Sequence, residues 1–210
     1  MDNLPEKSPR RKSGCSLFSD LPEHAYPYGL TRGQFAAAVR EAEEYFDMLG
    51  GVARAAGVSR LEDTLSTPAT LSAVVSDVFE RSLVKMAPQL VVNQAHNGHP
   101  DTVPLGLFPG NKVAAGDQGV EVKASVNNVS DAHGAHTGWW CQVVYGAPAN
   151  ENNEKRFEVL RVHLAHLNAD DDFRANARKT LVGTRTATPN GRALAKLRSG
   201  VVYIRAGAAS

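Results

Sequence analysis

Two short motifs, 20 positions apart, hold the residues of this 210-residue chain that are best suited to chemistry: Pro100-Asp101 and Glu121-Val122-Lys123. Because side chains alternate along a strand, Glu121 and Lys123 share one face of the strand that this alternating stretch predicts. An aspartate that begins the preceding strand of a hairpin brings a second carboxylate toward Glu121. Such hard oxygen ligands suit Mg²⁺, and a lysine beside the ion can orient or deprotonate a metal-bound water or balance charge that develops at phosphorus.

Hydrophobic periodicity predicts two amphipathic helices before these motifs. Thr31 is a typical N-cap and is followed by apolar residues at spacings of three and four. Thr67 and Pro68 are typical of a second helix start, and Pro88 ends that helix. Later elements are predicted as strands at 119–125, 139–145, 157–167 and 201–205, and as helices at 170–179 and 189–198. Helices followed by neighbouring strands predict one α/β domain with a mixed sheet.

The motifs and their context resemble the PD-(D/E)XK nuclease superfamily, which includes most type II restriction endonucleases. The resemblance covers roughly residues 67–167: a helix before the motif, the Glu-x-Lys strand and a following strand. It implies a restriction-endonuclease-like core, in which a central mixed β-sheet is flanked by helices. Here an N-terminal helical segment is added to that core.

The resemblance also implies a role for each matching residue. Asp101 and Glu121 would be metal-binding carboxylates, with the backbone carbonyl of Val122 as a further ligand, and Lys123 would be the catalytic lysine. Many members take one more acidic residue from the preceding helix, and Glu80 is the match for it. The alternative for Glu80 is an ordinary solvated helix glutamate. The implied cofactor is Mg²⁺, for which Mn²⁺ is an expected substitute.

Other polar residues near the motifs are candidates for accessory roles. His99, two positions before Asp101, is predicted to contact the site or a phosphate. Some branches of the family carry a glutamine at the position of Gln142, for which a cross-strand hydrogen bond is the alternative. A rival constellation for zinc combines Cys141 with two pairs of histidines: His96, His99, His133 and His136.

Charge is distributed unevenly along the chain. The totals of 23 basic and 22 acidic residues give a net charge of +1. From residue 173 onward the chain has eight basic and no acidic residues, which leaves 15 basic against 22 acidic in residues 1–172. This asymmetry predicts a surface that faces a polyanion, with a solvated basic helix as the alternative. The residues predicted to contact DNA are Arg174, Arg178, Lys179, Arg185, Arg192, Lys196 and Arg198.

Composition narrows the class of protein. The chain is 42% hydrophobic and 21% charged, which is ordinary for a globular protein. Because no apolar run approaches the roughly 18 residues of a membrane helix, we expect no membrane partner and a cytoplasmic location. Two cysteines do not make a disulfide framework. Residues 1–30 are predicted to be a flexible N-terminal arm, and residues 31–210 a single nuclease-like domain with a basic C-terminal segment.

The resulting hypothesis is a Mg²⁺-dependent endonuclease of a restriction system that hydrolyses phosphodiester bonds of double-stranded DNA. Because cutting both strands usually needs two sites related by a two-fold axis, a homodimer is expected. Two alternatives stay open. One is a non-enzymatic nucleic-acid-binding protein, and the other is another activity of the superfamily, such as junction resolvase, repair nuclease or exonuclease.

Overall fold

The computed structural model describes residues 26–58, 67–126, 135–146, 156–175 and 187–208. Four residues singled out above lie outside this part of the chain: His133, Arg178, Lys179 and Arg185. Residues 1–25 of the predicted arm also lie outside it.

Two helices form at the predicted positions, α1 (Arg32–Ala55) and α2 (Pro68–Met86). Thr31 caps α1 through a capping box: its side chain accepts from the Gln34 backbone N–H, and the Gln34 side chain accepts from the Thr31 N–H. Thr67 caps α2 by accepting from the Thr70 N–H. The apolar faces of both helices pack into one core cluster with one face of the sheet.

From one edge to the other, the six strands of the central sheet are β1 (Leu90–Val92), β2 (Thr102–Pro104), β3 (Val120–Ser125), β4 (Gly138–Gly146), β5 (Glu158–Leu167) and β8 (Val201–Ile204). Strands β3 and β4 are parallel, and every other neighbouring pair is antiparallel. The mixed sheet flanked by helices that the sequence predicts is therefore confirmed.

The second face of the sheet is covered by α3 (Gly191–Ser199) and by a two-stranded sheet of β6 (Phe173–Ala175) and β7 (Ala187–Pro189). The helix predicted at 170–179 is wrong where the structure describes it, because residues 173–175 are β6. Phe173 packs against Trp140 of β4, with ring centroids 5.1 Å apart. This tertiary contact outweighs the local helical pattern that the prediction used.

The N-terminal boundary of the domain also differs from the prediction. Tyr26 and Leu30, which composition assigned to the arm, belong to the core cluster, and Leu30 is only 1% exposed. Between them, the Tyr28 hydroxyl accepts a hydrogen bond of 2.7 Å from the Gly119 N–H. Residues 26–30 therefore belong to the folded body, because their apolar side chains bury enough surface to offset the cost of ordering.

Within the described ranges, the structure has no helix that is both long and apolar enough to cross a membrane.

Candidate active site

Strand pairing brings the two motifs together. Asp101 directly precedes β2, and β2 runs antiparallel to β3 with Thr102 opposite Val120. The Thr102 hydroxyl donates to the Val120 carbonyl at 3.1 Å, and Asp101 Oδ2 accepts from the Val122 N–H at 2.7 Å. The predicted placement of Asp101 at the start of a strand beside Glu-x-Lys is therefore confirmed.

Glu121 and Lys123 lie on the sheet face opposite α1 and α2, while Val122 points into the core on the other face. Lys123 Nζ is 2.5 Å from Glu121 Oε1 and 3.8 Å from Asp101 Oδ2. The Glu121 side chain is 5% exposed, against 26% for Asp101 and 23% for Lys123. The structure thus gathers all three predicted catalytic residues into one partly buried ionic cluster.

His99 approaches the other oxygen of Glu121. His99 Nδ1 is 3.6 Å from Glu121 Oε2, and both atoms are buried without a hydrogen-bond partner among the described residues. The His99 ring stacks on His136, with centroids 4.0 Å apart. Glu121 therefore has a cationic group at one oxygen and an imidazole at the other.

These neighbours govern the ionisation of Glu121. Burial by itself disfavours the carboxylate, but His99 and Lys123 outweigh burial and lower the pKa of Glu121 to about 2. Burial also disfavours the ammonium of Lys123, and here Glu121 and Asp101 outweigh it and raise the pKa of Lys123. Glu121 and Lys123 are therefore both charged at neutral pH.

The other two carboxyl groups shift in the opposite direction. Burial and the charge of Glu121 raise the pKa of Asp101 to about 6. Burial and the charge of Asp101 raise the pKa of Glu80 on α2 to about 8. Glu80 is therefore within electrostatic range of Asp101, and its role as a metal ligand stays a prediction.

This donor set is suited to a hard divalent cation. The charge of Glu121 acts against ionisation of Asp101, and Glu121 Oε2 has no hydrogen bond among the described residues. A divalent ion relieves such repulsion, and carboxylate oxygens are the ligands that Mg²⁺ prefers. In the described part of the chain, no three His, Cys, Asp or Glu side chains are gathered as a metal-binding group.

Among the residues that the structure describes, the members of the rival zinc constellation are not gathered at one place. The Cys141 side chain is fully buried in the core cluster on the sheet face opposite Glu121, and burial raises its pKa above the usual range. His96 is exposed on its loop, whereas His99 and His136 stack at the site. Only one of the two predicted roles for the histidines, contact with the carboxylate site, agrees with this geometry.

Gln142 lies beside the cluster on β4, in register with Lys123. Its Nε2 donates to Ser125 Oγ at 3.3 Å, which is the cross-strand hydrogen bond that was the alternative reading. Its accessory role in the site stays a prediction.

Two of the predicted DNA-contacting residues have acidic partners. Lys196 Nζ is 2.5 Å from Asp172 Oδ2, and Arg192 approaches Asp172 at 3.4 Å and Asp171 at 3.6 Å. Counting charge from residue 173 onward hides these pairs, because both aspartates directly precede that position. Arg174 and Arg198 are exposed.

Sequence reasoning missed two features that support the site. The Tyr28 hydroxyl holds the Gly119 N–H directly before β3, where Gly119 has φ +142° and a Cβ would lie 2.0 Å from the Thr102 carbonyl oxygen. Only glycine fits there.

The buried Glu43 of α1 accepts from the Val159 N–H and pairs with Arg205, which ties α1 to β5 and to the residue after β8. A glycine directly before a predicted strand is visible in the sequence, whereas no local sequence pattern indicates the ion pair of Glu43 and Arg205.

Comparisons of this chain with family models, with curated proteins and with solved structures found no match.

Proposed function

We propose that this protein is a Mg²⁺-dependent endonuclease that hydrolyses phosphodiester bonds of double-stranded DNA, in the manner of a restriction endonuclease. The observation that carries the proposal is the convergence of Asp101, Glu121 and Lys123, two of them in register-fixed strand positions. A surface hairpin with incidental charges gives no reason for three ionisable groups to lie within 4 Å of one another with one of them almost fully buried.

In this proposal Asp101, Glu121, the Val122 carbonyl and Glu80 hold the metal. The bound ion supplies Lewis acidity and an activated water. Lys123 keeps its proton at neutral pH because Glu121 and Asp101 raise its pKa. It therefore donates a hydrogen bond and positive charge to the phosphate oxygens, where charge develops in the transition state, rather than removing a proton from water. Its contact with Glu121 also holds the ammonium at the cleft.

The same proposal includes two partners. Double-stranded DNA is the substrate, and the exposed Arg174 and Arg198 are available for phosphate contacts. A homodimer supplies the second site that cutting of the opposite strand needs. Mn²⁺ is expected to replace Mg²⁺, because both accept carboxylate ligands.

The test is incubation of purified protein with supercoiled plasmid, prepared with and without base modification, in Mg²⁺ and then in EDTA. Nicked or linear product that EDTA abolishes supports the endonuclease. The Lys123→Ala variant should lose cleavage by orders of magnitude, while Lys85→Ala, on the exposed side of α2 and paired with Glu41, should not. DNA binding without any cleavage in Mg²⁺ or Mn²⁺ would refute the proposal and favour a binding protein. Digestion of linearised plasmid from its ends, with the supercoiled form left intact, would favour an exonuclease.

A further inference from the structure

A small cleft opens beside Glu121 and His99. The described residues that line it also include His136, Asp117 and two tryptophans of β4, but no lysine or arginine. The cleft has room for about one water molecule or one ion. Because two carboxyl groups and two imidazole rings line it without a lysine or arginine, the cleft favours a cation over an anion.

Two polar atoms at this cleft lack a hydrogen bond. Glu121 Oε2 and His99 Nδ1 are both buried without a partner in the part of the chain that the structure describes. They lie 3.6 Å apart, which is longer than the roughly 2.7–3.2 Å of an ordinary N–H···O hydrogen bond. The Glu121 side chain is only 5% exposed. A native structure rarely leaves such atoms without a ligand or a water.

The spacing of the two atoms fits a metal ion that binds both of them. With bonds of about 2.1 Å to a nitrogen and to a carboxylate oxygen, a separation of 3.6 Å gives an angle of about 120° at the ion. Lys123 Nζ contacts the other oxygen of Glu121, Oε1, at 2.5 Å. An ion at Oε2 therefore does not displace the lysine from its carboxylate.

Stacking supports the ring that would supply the nitrogen. The rings of His99 and His136 lie face to face, with centroids 4.0 Å apart and an angle of 30° between their planes. The lone pairs of an imidazole lie in the ring plane, so two rings stacked in this way do not point at one ion. His136 therefore holds the orientation of His99, and the other positions on the ion are open to water or to a substrate oxygen.

We propose that Glu121 Oε2 and His99 Nδ1 bind a divalent transition-metal ion such as Zn²⁺, Co²⁺ or Mn²⁺. An imidazole ligand favours these ions, whereas Mg²⁺ is bound through oxygen. If the protein cleaves DNA, one of the open positions on the ion takes a phosphate oxygen of the strand. That extension rests on the proposed function, whereas the metal site itself rests on the two atoms and their cleft.

The first test titrates the metal-free full chain, with ¹⁵N in its histidines, with ZnCl₂. The ¹⁵N signals of His99 are assigned from the spectrum of His99→Gln. Ligation should move the Nδ1 signal of His99 in a saturable way, and MgCl₂ over the same concentrations should move it far less. If the Nδ1 signal stays in place, or if only the Nε2 signal moves, the proposal is overturned. This measurement needs no variant to bind metal.

Variants give a second measurement, by calorimetry with ZnCl₂ after a check of thermal unfolding. His99→Gln should lower the zinc affinity of this site by about tenfold or more. The matched control is His96→Gln, which removes an exposed histidine from the same loop and should keep the affinity. His136→Phe keeps a ring for stacking without its nitrogens and should also keep it. A folded His99→Gln that binds zinc as tightly as the wild type would overturn the proposal.

These measurements separate the metal site from the proposed function. A protein that binds zinc at His99 but cuts plasmid with none of these metals has the site without the nuclease activity. A protein that cuts plasmid in Mg²⁺ while zinc leaves the His99 signals in place has the activity without the site.

Discussion

Replacing Lys123 with methionine tests the electrostatic account of the site, because it removes the ammonium and keeps most of the stem. Glu121 then loses its partner at Oε1 and keeps only His99 at Oε2. The lowering of the pKa of Glu121 from 4.5 to about 2 corresponds to about 3 kcal/mol of net stabilisation of its charged form. His99 and Lys123 share this stabilisation, so Lys123→Met should lower the free energy of unfolding by about 1–2 kcal/mol at neutral pH without metal.

The pH dependence of this difference in stability between wild type and Lys123→Met follows from the direction in which the pKa of Glu121 is shifted. Between pH 4.5 and about 2 the unfolded chain binds a proton at Glu121 and the folded protein does not, so the stability gained from the pair is lost as pH falls through this window. Urea unfolding of wild type and variant should therefore show the full difference at neutral pH and a shrinking difference in acid.

A double-mutant cycle isolates the pair. In a Glu121→Gln background the ammonium has no buried carboxylate to balance, so Lys123→Met should cost less there than in the wild type. Lys85→Met, which breaks the exposed pair with Glu41, is the matched control and should cost well below 1 kcal/mol. Cleavage by Lys123→Met should fall by orders of magnitude in Mg²⁺. If Lys123→Met had wild-type stability and cleaved DNA at the wild-type rate, both the stabilising effect of the Lys123–Glu121 pair and the catalytic role of Lys123 would be refuted.

Three further predictions concern residues around the site. From pH 4.5 to about 8 folded wild-type protein keeps a proton on Glu80 that the unfolded chain releases, so the stability of the wild type falls as pH rises. Glu80→Gln removes this loss and should stabilise the metal-free protein by about 1–2 kcal/mol above pH 8. The same variant should bind Mg²⁺ more weakly in calorimetry. An equal pH profile for both proteins would contradict this. Tyr28→Phe should cost about 1 kcal/mol in urea unfolding, since the Gly119 N–H loses its acceptor; no change would place that N–H in contact with water. Lys196→Met should cost about 1–2 kcal/mol, because Asp172 keeps its negative charge with one partner fewer, and a variant as stable as wild type would show that Asp172 does not need the ammonium.

The local elements were predictable because their signals lie within a few residues. Thr31 and Thr67 cap the helices that their positions predict, and the alternation around Glu121 places that residue and Lys123 on one face of β3. The mixed sheet followed from the order of helices and strands. Prediction failed where the local signal is weak. Residues 173–175 form a strand because Phe173 packs against Trp140, which is distant in sequence.

The sequence by itself determined the chemical types at the site and the spacing of Asp101 from Glu121 and Lys123. Only the tertiary structure decided that the charge of Asp101 acts on Glu80 and that His99 approaches the second oxygen of Glu121. Local periodicity determines which face of an element a side chain occupies, but not which distant element faces it. Distances between groups, and therefore their pKa values and partners, depend on strand register and helix packing, which are set when the whole core assembles.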